Sequence, residues 1–153
     1  MLMLFILSCL VISTRAQWVE KNDGLYGGSI SSLLHTEAGL FAGNSGKLFL
    51  STNNGVSWTS ISNGSFGVLA ANSTSLFAAG KGIFRSMDNG LTWVAANTGL
   101  TNDIILSLAV NGSSVFAGLQ GKGVFVSTNN GDSWIPANIG LPANTSVLSF
   151  AVS

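Results

Sequence analysis

The chain has 153 residues, of which 46% are apolar and only 8% charged, with a formal net charge of zero. That is ample apolar mass for a packed core, and far too little positive charge for the footprint of a nucleic-acid or anionic-membrane binder. One cysteine, Cys9, excludes intrachain disulfides and any cysteine-based metal site.

The chain opens on an apolar run, Met1 to Ile12, followed by Ser13-Thr-Arg-Ala16. Thr14 and Ala16 are small residues at the third and first positions before a cut ahead of Gln17, the pattern of a secretory signal over residues 1–16. The run is too short to span a bilayer comfortably. Secretion to a periplasmic or extracellular space is the expectation, with no membrane contact beyond the signal. Ile6-Leu-Ser-Cys9 also allows lipidation of Cys9, but Leu10, Val11 and Ile12 follow it and no positive side chain precedes it.

Residues 17–24 begin a segment, Trp18-Val-Glu-Lys-Asn-Asp-Gly-Leu25, that recurs as Trp93-Val-Ala-Ala-Asn-Thr-Gly-Leu100 and Trp134-Ile-Pro-Ala-Asn-Ile-Gly-Leu141. The four tryptophans are Trp18, Trp58, Trp93 and Trp134, 40, 35 and 41 residues apart, a period that signals a repeated structural unit. The units run over 25–63, 64–99 and 100–140. Each holds three short apolar runs, the second and third carrying Phe: Leu40-Phe-Ala-Gly43 and Lys47-Leu-Phe-Leu50, then Leu76-Phe-Ala-Ala79 and Gly82-Ile-Phe-Arg85, then Val115-Phe-Ala-Gly118 and Gly123-Val-Phe-Val126. Runs of this length, bounded by Gly, Asn and Ser, predict antiparallel strands joined by tight hairpins. Asn72-Ser-Thr-Ser75 and Asn111-Gly-Ser-Ser114 are such joins. Residues 141–153 end on Ser146-Val-Leu-Ser-Phe-Ala-Val152, a match to the inner run Leu106-Ser-Leu-Ala-Val110.

Each unit then turns through an octapeptide: Ser51-Thr-Asn-Asn-Gly-Val-Ser-Trp58, Ser86-Met-Asp-Asn-Gly-Leu-Thr-Trp93 and Ser127-Thr-Asn-Asn-Gly-Asp-Ser-Trp134. The side-chain oxygen of Asn53, Asp88 or Asn129 is expected to fold back onto backbone N–H groups two residues on. Gly55, Gly90 and Gly131 take the positive-φ position. The tryptophan then packs its indole on the neighbouring sheet, so that each octapeptide is a self-contained stapled turn.

This pattern resembles the Asp-box, or bacterial neuraminidase repeat, of sialidase-like, sortilin-like and photosystem II assembly factor-like propellers. The resemblance covers residues 17–153, although only Asp88 keeps the aspartate. It implies an all-β propeller of four-stranded antiparallel blades, here a partial one: three complete blades, an orphan outer strand at 17–24 and an orphan inner strand starting the next blade. It also implies that the boxes are peripheral and structural rather than catalytic. Missing C-terminal blades or self-association would then cover the exposed blade faces.

Sialidases of this type hold a carboxylate with clustered arginines and use a tyrosine nucleophile. Beyond residue 16 this chain has one arginine, Arg85, and one tyrosine, Tyr26. Two-carboxylate hydrolysis would have to use Glu37 and Asp103, since the other acids belong to boxes or follow an outer-strand tryptophan. His35 and Glu37, two apart at the end of an inner strand, could face one way as acid/base or metal partners, but a solvated hairpin tip accounts for them equally well. No catalytic residue, cofactor or metal is assigned. The expectation is a scaffold or a module binding protein or glycan; the alternative is the N-terminal part of a glycosidase whose catalytic residues lie beyond Ser153.

Overall fold

The computed structural model describes residues 19–100 and 103–152. Residues 1–16, read from sequence as a secretory signal, and Trp18 lie outside the described residues. The strands are β1 (Ser32–Thr36), β2 (Gly39–Gly43), β3 (Lys47–Ser51), β4 (Thr59–Asn63), β5 (Val68–Ala71), β6 (Leu76–Gly80), β7 (Gly82–Ser86), β8 (Val94–Ala95), β9 (Ile105–Asn111), β10 (Ser114–Leu119), β11 (Gly123–Ser127) and β12 (Ile135–Pro136). They form three separate four-stranded sheets, each pairing its strands in sequence order and all antiparallel. These are the three blades expected from the repeat, and the all-β partial propeller is the architecture of the chain.

The core lies between blades. Phe41, Leu48, Phe66, Leu76 and Ala78 fill the junction of blades 1 and 2. Phe77, Ile83, Ile105, Val115, Leu119 and Trp134 fill that of blades 2 and 3. A flat four-stranded sheet cannot bury both faces alone, so each blade depends on its neighbours, as in other repeat architectures. Glycine sets how closely they approach. A methyl group on Gly90 would fall 2.7 Å from the ring of Phe41, and one on Gly131 would fall 2.9 Å from that of Phe77. The glycines of boxes 2 and 3 therefore each seat the aromatic ring of the preceding blade's second strand.

The outer strands depart from expectation. β4 has five residues, but β8 and β12 have two. In blades 2 and 3 the ladder is continued by a side chain: Asn97 Oδ1 accepts from the N–H of Ile83 and Asn138 Oδ1 from that of Val124, both at 2.7 Å. Blade 1 has Ser62 at the corresponding place, and there the backbone itself pairs on to Asn63. The flanking segments also differ. Residues 19–24 and 146–152, read as orphan strands, carry no ladder. A lone segment has no sheet neighbour to bond regularly, and each is held instead by scattered contacts such as Ser107 Oγ to Val147 O, 2.8 Å.

Candidate functional site

The box turns are built alike. Ser51, Ser86 and Ser127 are each buried, and each hydroxyl accepts the N–H of Gly55, Gly90 or Gly131 at 2.8 Å. The same hydroxyls donate to Asn53, Asp88 and Asn129. The side-chain oxygens of these residues reach N–H groups four residues on, at Ser57, Thr92 and Ser133, rather than two. The reason is that each turn contains two successive left-handed residues, with Asn54, Asn89 and Asn130 at φ 56–59° ahead of the glycine. In box 2 the Thr92 hydroxyl donates to Asp88; in boxes 1 and 3 the asparagine amide donates to Ser57 or Ser133. The Thr92 hydroxyl, the Thr92 N–H and the Ser86 hydroxyl lower the Asp88 carboxyl to about 2.

The boxes are not self-contained. Trp58 Nε1 donates to Lys21 O and Trp134 Nε1 to Ala96 O, each three residues beyond the preceding repeat's tryptophan. Only Trp93 bonds within its own turn, to Gly90 O at 3.1 Å.

In an antiparallel meander the β1–β2 and β3–β4 connections emerge at one end of the blade and the β2–β3 connection at the other. At the first of these ends, the β1–β2 tip of blade 1, the β5–β6 tip of blade 2 and box 2 enclose a cleft of about 590 Å³. Its lining includes His35, Thr36, Glu37, Asn72, Ser73, Thr74, Ser86, Met87 and Asn89. Asn72 is fixed: its Oδ1 accepts the N–H groups of Thr74 and Ser75, and its Nδ2 donates to Gly112 O and Asn130 Oδ1 of blade 3. Met87 adds an apolar rim, 66% exposed. The result is a wall of hydroxyls, amides, one thioether and the His35 imidazole, with a single carboxylate.

The structure brings His35 and Glu37 to this cleft and leaves Asp103 out of it. Asp103 precedes β9 and meets Lys122, in the β10–β11 turn, at 2.5 Å; its carbonyl accepts the N–H of Gly82, the first residue of β7. That is the opposite end of the blades, so Glu37 and Asp103 cannot flank one glycosidic bond. Among the described residues no group of three or more His, Asp or Glu side chains could hold a metal ion. Arg85 and Tyr26 are also apart. Arg85 pairs with Asp132 of box 3 at 2.7 Å, and Tyr26 packs edge-on against Phe49 with Lys47 over its ring. Sequence reasoning missed Ser73, Thr74, Met87 and Asn89 as lining residues. Their signal was present in the strand order, which sends hairpin tips and boxes to one end.

No family model and no curated protein matches the chain. Solved structures do resemble it. The extracellular domain of BT4673 from B. thetaiotaomicron superposes with a TM-score of 0.67 over 86% of this chain at 17% identity. The GH74 xyloglucanase from Xanthomonas campestris gives 0.56 over 74% at 16% identity. The computationally designed Ika4 protein gives 0.63 over 84% at 10% identity. The chain spans 20% of the BT4673 chain and 24% of the xyloglucanase, but 82% of Ika4. At these identities the likeness carries the fold and nothing about activity.

Proposed function

We propose that this chain is a secreted, non-catalytic propeller segment that binds a neutral, hydroxyl-rich ligand of glycan type in the cleft between its first two blades. The observation that carries this reading is the lining: hydroxyls and amides with one imidazole, His35, and one carboxylate, Glu37, while the second candidate acid, Asp103, is at the far end of the blades. Neutral sugars are recognised by such side-chain hydrogen bonds together with an apolar face, which Met87 offers. Secretion is supported by the signal pattern of residues 1–16 and by the extracellular setting of the BT4673 domain it resembles.

Calorimetric titration of the purified chain with neutral oligosaccharides tests the reading. Binding is expected, and Glu37→Gln is expected to weaken it about tenfold, or about 1.4 kcal/mol, without moving the thermal midpoint. Glu37 is exposed and its loss costs the fold little. Hydrolysis of a glycoside by the chain, abolished by Glu37→Ala, would replace this reading with an enzymatic one. Protein recovered from the medium should begin at Gln17.

A further inference from the structure

Outside blade 1, the repeat gives each unit a way to hold the next one, and two occupied instances define it. In the first, Trp58 donates its indole N–H to Lys21 O and its backbone N–H to Asp23 O, while a methyl group on Gly24 would overlap the carbonyl of Trp58. In the second, Trp134 makes the same two bonds, to Ala96 O and Thr98 O, and Gly99 is pressed against its carbonyl in the same way. The acceptor in each case is a short turn closed by a backbone bond, Leu25 N–H to Asn22 O and Leu100 N–H to Asn97 O, both 2.8 Å. The Asn-x-Gly-Leu sequence at residues 22–25 and 97–100 produces it. After Trp58 the sequence has Ser62 instead of asparagine, the strand runs on, and no acceptor forms for Trp93.

A third acceptor is present at Asn138-Ile-Gly-Leu141. Leu141 N–H bonds to Asn138 O at 3.0 Å, Asn138 Oδ1 holds Val124 N–H, and Gly140 has φ 86° against 84° and 92° at Gly24 and Gly99. Its surface is open. A methyl group on Gly140 would meet no described atom within 4 Å, and Ile139 is fully exposed. Ala137 is exposed where its counterpart Ala96 is buried. The second blade-to-blade contact shows the same contrast. Phe41 and Phe77 each carry a box glycine on the ring, whereas the corresponding Phe116 faces Phe150 and a small open cavity. The inner-strand place beside blade 3 is nonetheless taken: Gly118 abuts Val147 O as Gly43 abuts Phe66 O.

We infer that Phe116 and the Ala137–Gly140 turn form a docking surface for the Trp-box of a further blade of the same kind. The incoming indole N–H would go to Ala137 O, its backbone N–H to Ile139 O, and its box glycine onto Phe116. A preformed acceptor costs little to order on binding. A second copy of this chain is a poorer occupant, because the indoles of its three boxes, Trp58, Trp93 and Trp134, are engaged and residues 19–24 already hold the matching position on box 1.

The test continues the full chain past Ser153 with a second copy of residues 112–141, which supplies a complete fourth blade and its box. The extended chain should unfold at a higher temperature. Gly140→Asn keeps a residue that tolerates positive φ but fills the space an incoming tryptophan needs. It should lower the midpoint of the extended chain by several degrees more than that of the 153-residue chain, where the strain of a side chain at φ 86° is the whole cost. Tryptophan to phenylalanine in the added box, which deletes only the indole donor, should lower it by less. No gain from the added blade, or an equal effect of Gly140→Asn in both chains, would overturn the inference. So would a stable dimer of the 153-residue chain that Gly140→Asn dissociates, which would give the surface to a second copy.

Discussion

The junction of blades 1 and 2 and the junction of blades 2 and 3 are built from one repeat, yet the first holds a cleft and the second is laced shut at the same end. The difference begins at the residue before the box serine: Leu50 in blade 1 and Arg85 in blade 2. Arg85 reaches across to Asp132 and donates to Asn130 O, while Asn130 donates to Ser75 and accepts from Asn72. Across the first junction the residue matching Asp132 is Leu91, 82% exposed, and the tip offers His35 and Glu37. Beneath the surface the two junctions agree, each with a buried phenylalanine under a box glycine. Backbone and core set the stacking, and a few polar residues at one end decide whether a junction is a seam or a site.

The sharpest way to break this comparison is through the shared core. Phe41 and Phe77 are 1% and 0% exposed, so truncating either to alanine should cost about 3–5 kcal/mol, measured by urea denaturation. Equal losses are expected. A much smaller loss at Phe41 would show that the cleft-bearing junction is loose throughout and not merely open at its rim.

Exchanging the residue that laces the second junction has a smaller expected effect. Arg85→Leu installs the blade 1 residue, removes the Asp132 pair and leaves Asn130 O without that donor. Asp132 is 62% exposed, so the ion pair itself is screened. Arg85 Nε is also buried with no hydrogen-bond partner in the structure, an unfavourable feature that the change removes. A net loss of about 1 kcal/mol is expected, with weaker dependence on salt than the parent chain. A gain in stability would mean that the arginine serves something other than closing the seam.

Much of the stacking was legible from residue spacing, because each unit repeats its hydrophobic runs and its turn residues in register. Strand order and the box positions followed from hairpin-length joins alone. What spacing could not carry was any contact between units. The octapeptide looked self-contained because its own serine, asparagine and glycine close a turn, whereas the indoles of Trp58 and Trp134 bond to a neighbouring repeat. The two-residue outer strands were hidden for a related reason: Asn97 and Asn138 replace backbone pairing with a side chain, which a count of β-formers does not detect. The candidate site was half visible. Residue type and spacing single out His35 and Glu37, but Asp103, the carboxylate paired with Glu37 in that reading, lies at the other end of the blades, and the lining hydroxyls read from sequence as turn formers.

The smallest expected effect distinguishes the one aspartate box from its two asparagine counterparts. Asp88 accepts from Thr92 through both hydroxyl and backbone, which lowers its carboxyl to about 2. A depressed carboxylate stabilises the folded chain above the ordinary carboxylate range, near 4. That contribution fades as pH falls through the folded value. Between about pH 4 and pH 2 the parent chain should therefore lose stability that Asp88→Asn does not lose. In the variant the asparagine oxygen can still accept from Thr92 and Ser86, and its amide can donate to the Thr92 hydroxyl, as Asn53 and Asn129 do to Ser57 and Ser133. Urea unfolding of both chains from pH 2 to 7 measures the difference. It should be widest at neutral pH and close towards pH 2. Parallel curves would mean that the carboxylate at Asp88 adds nothing an amide does not, and that the three boxes are interchangeable as turns.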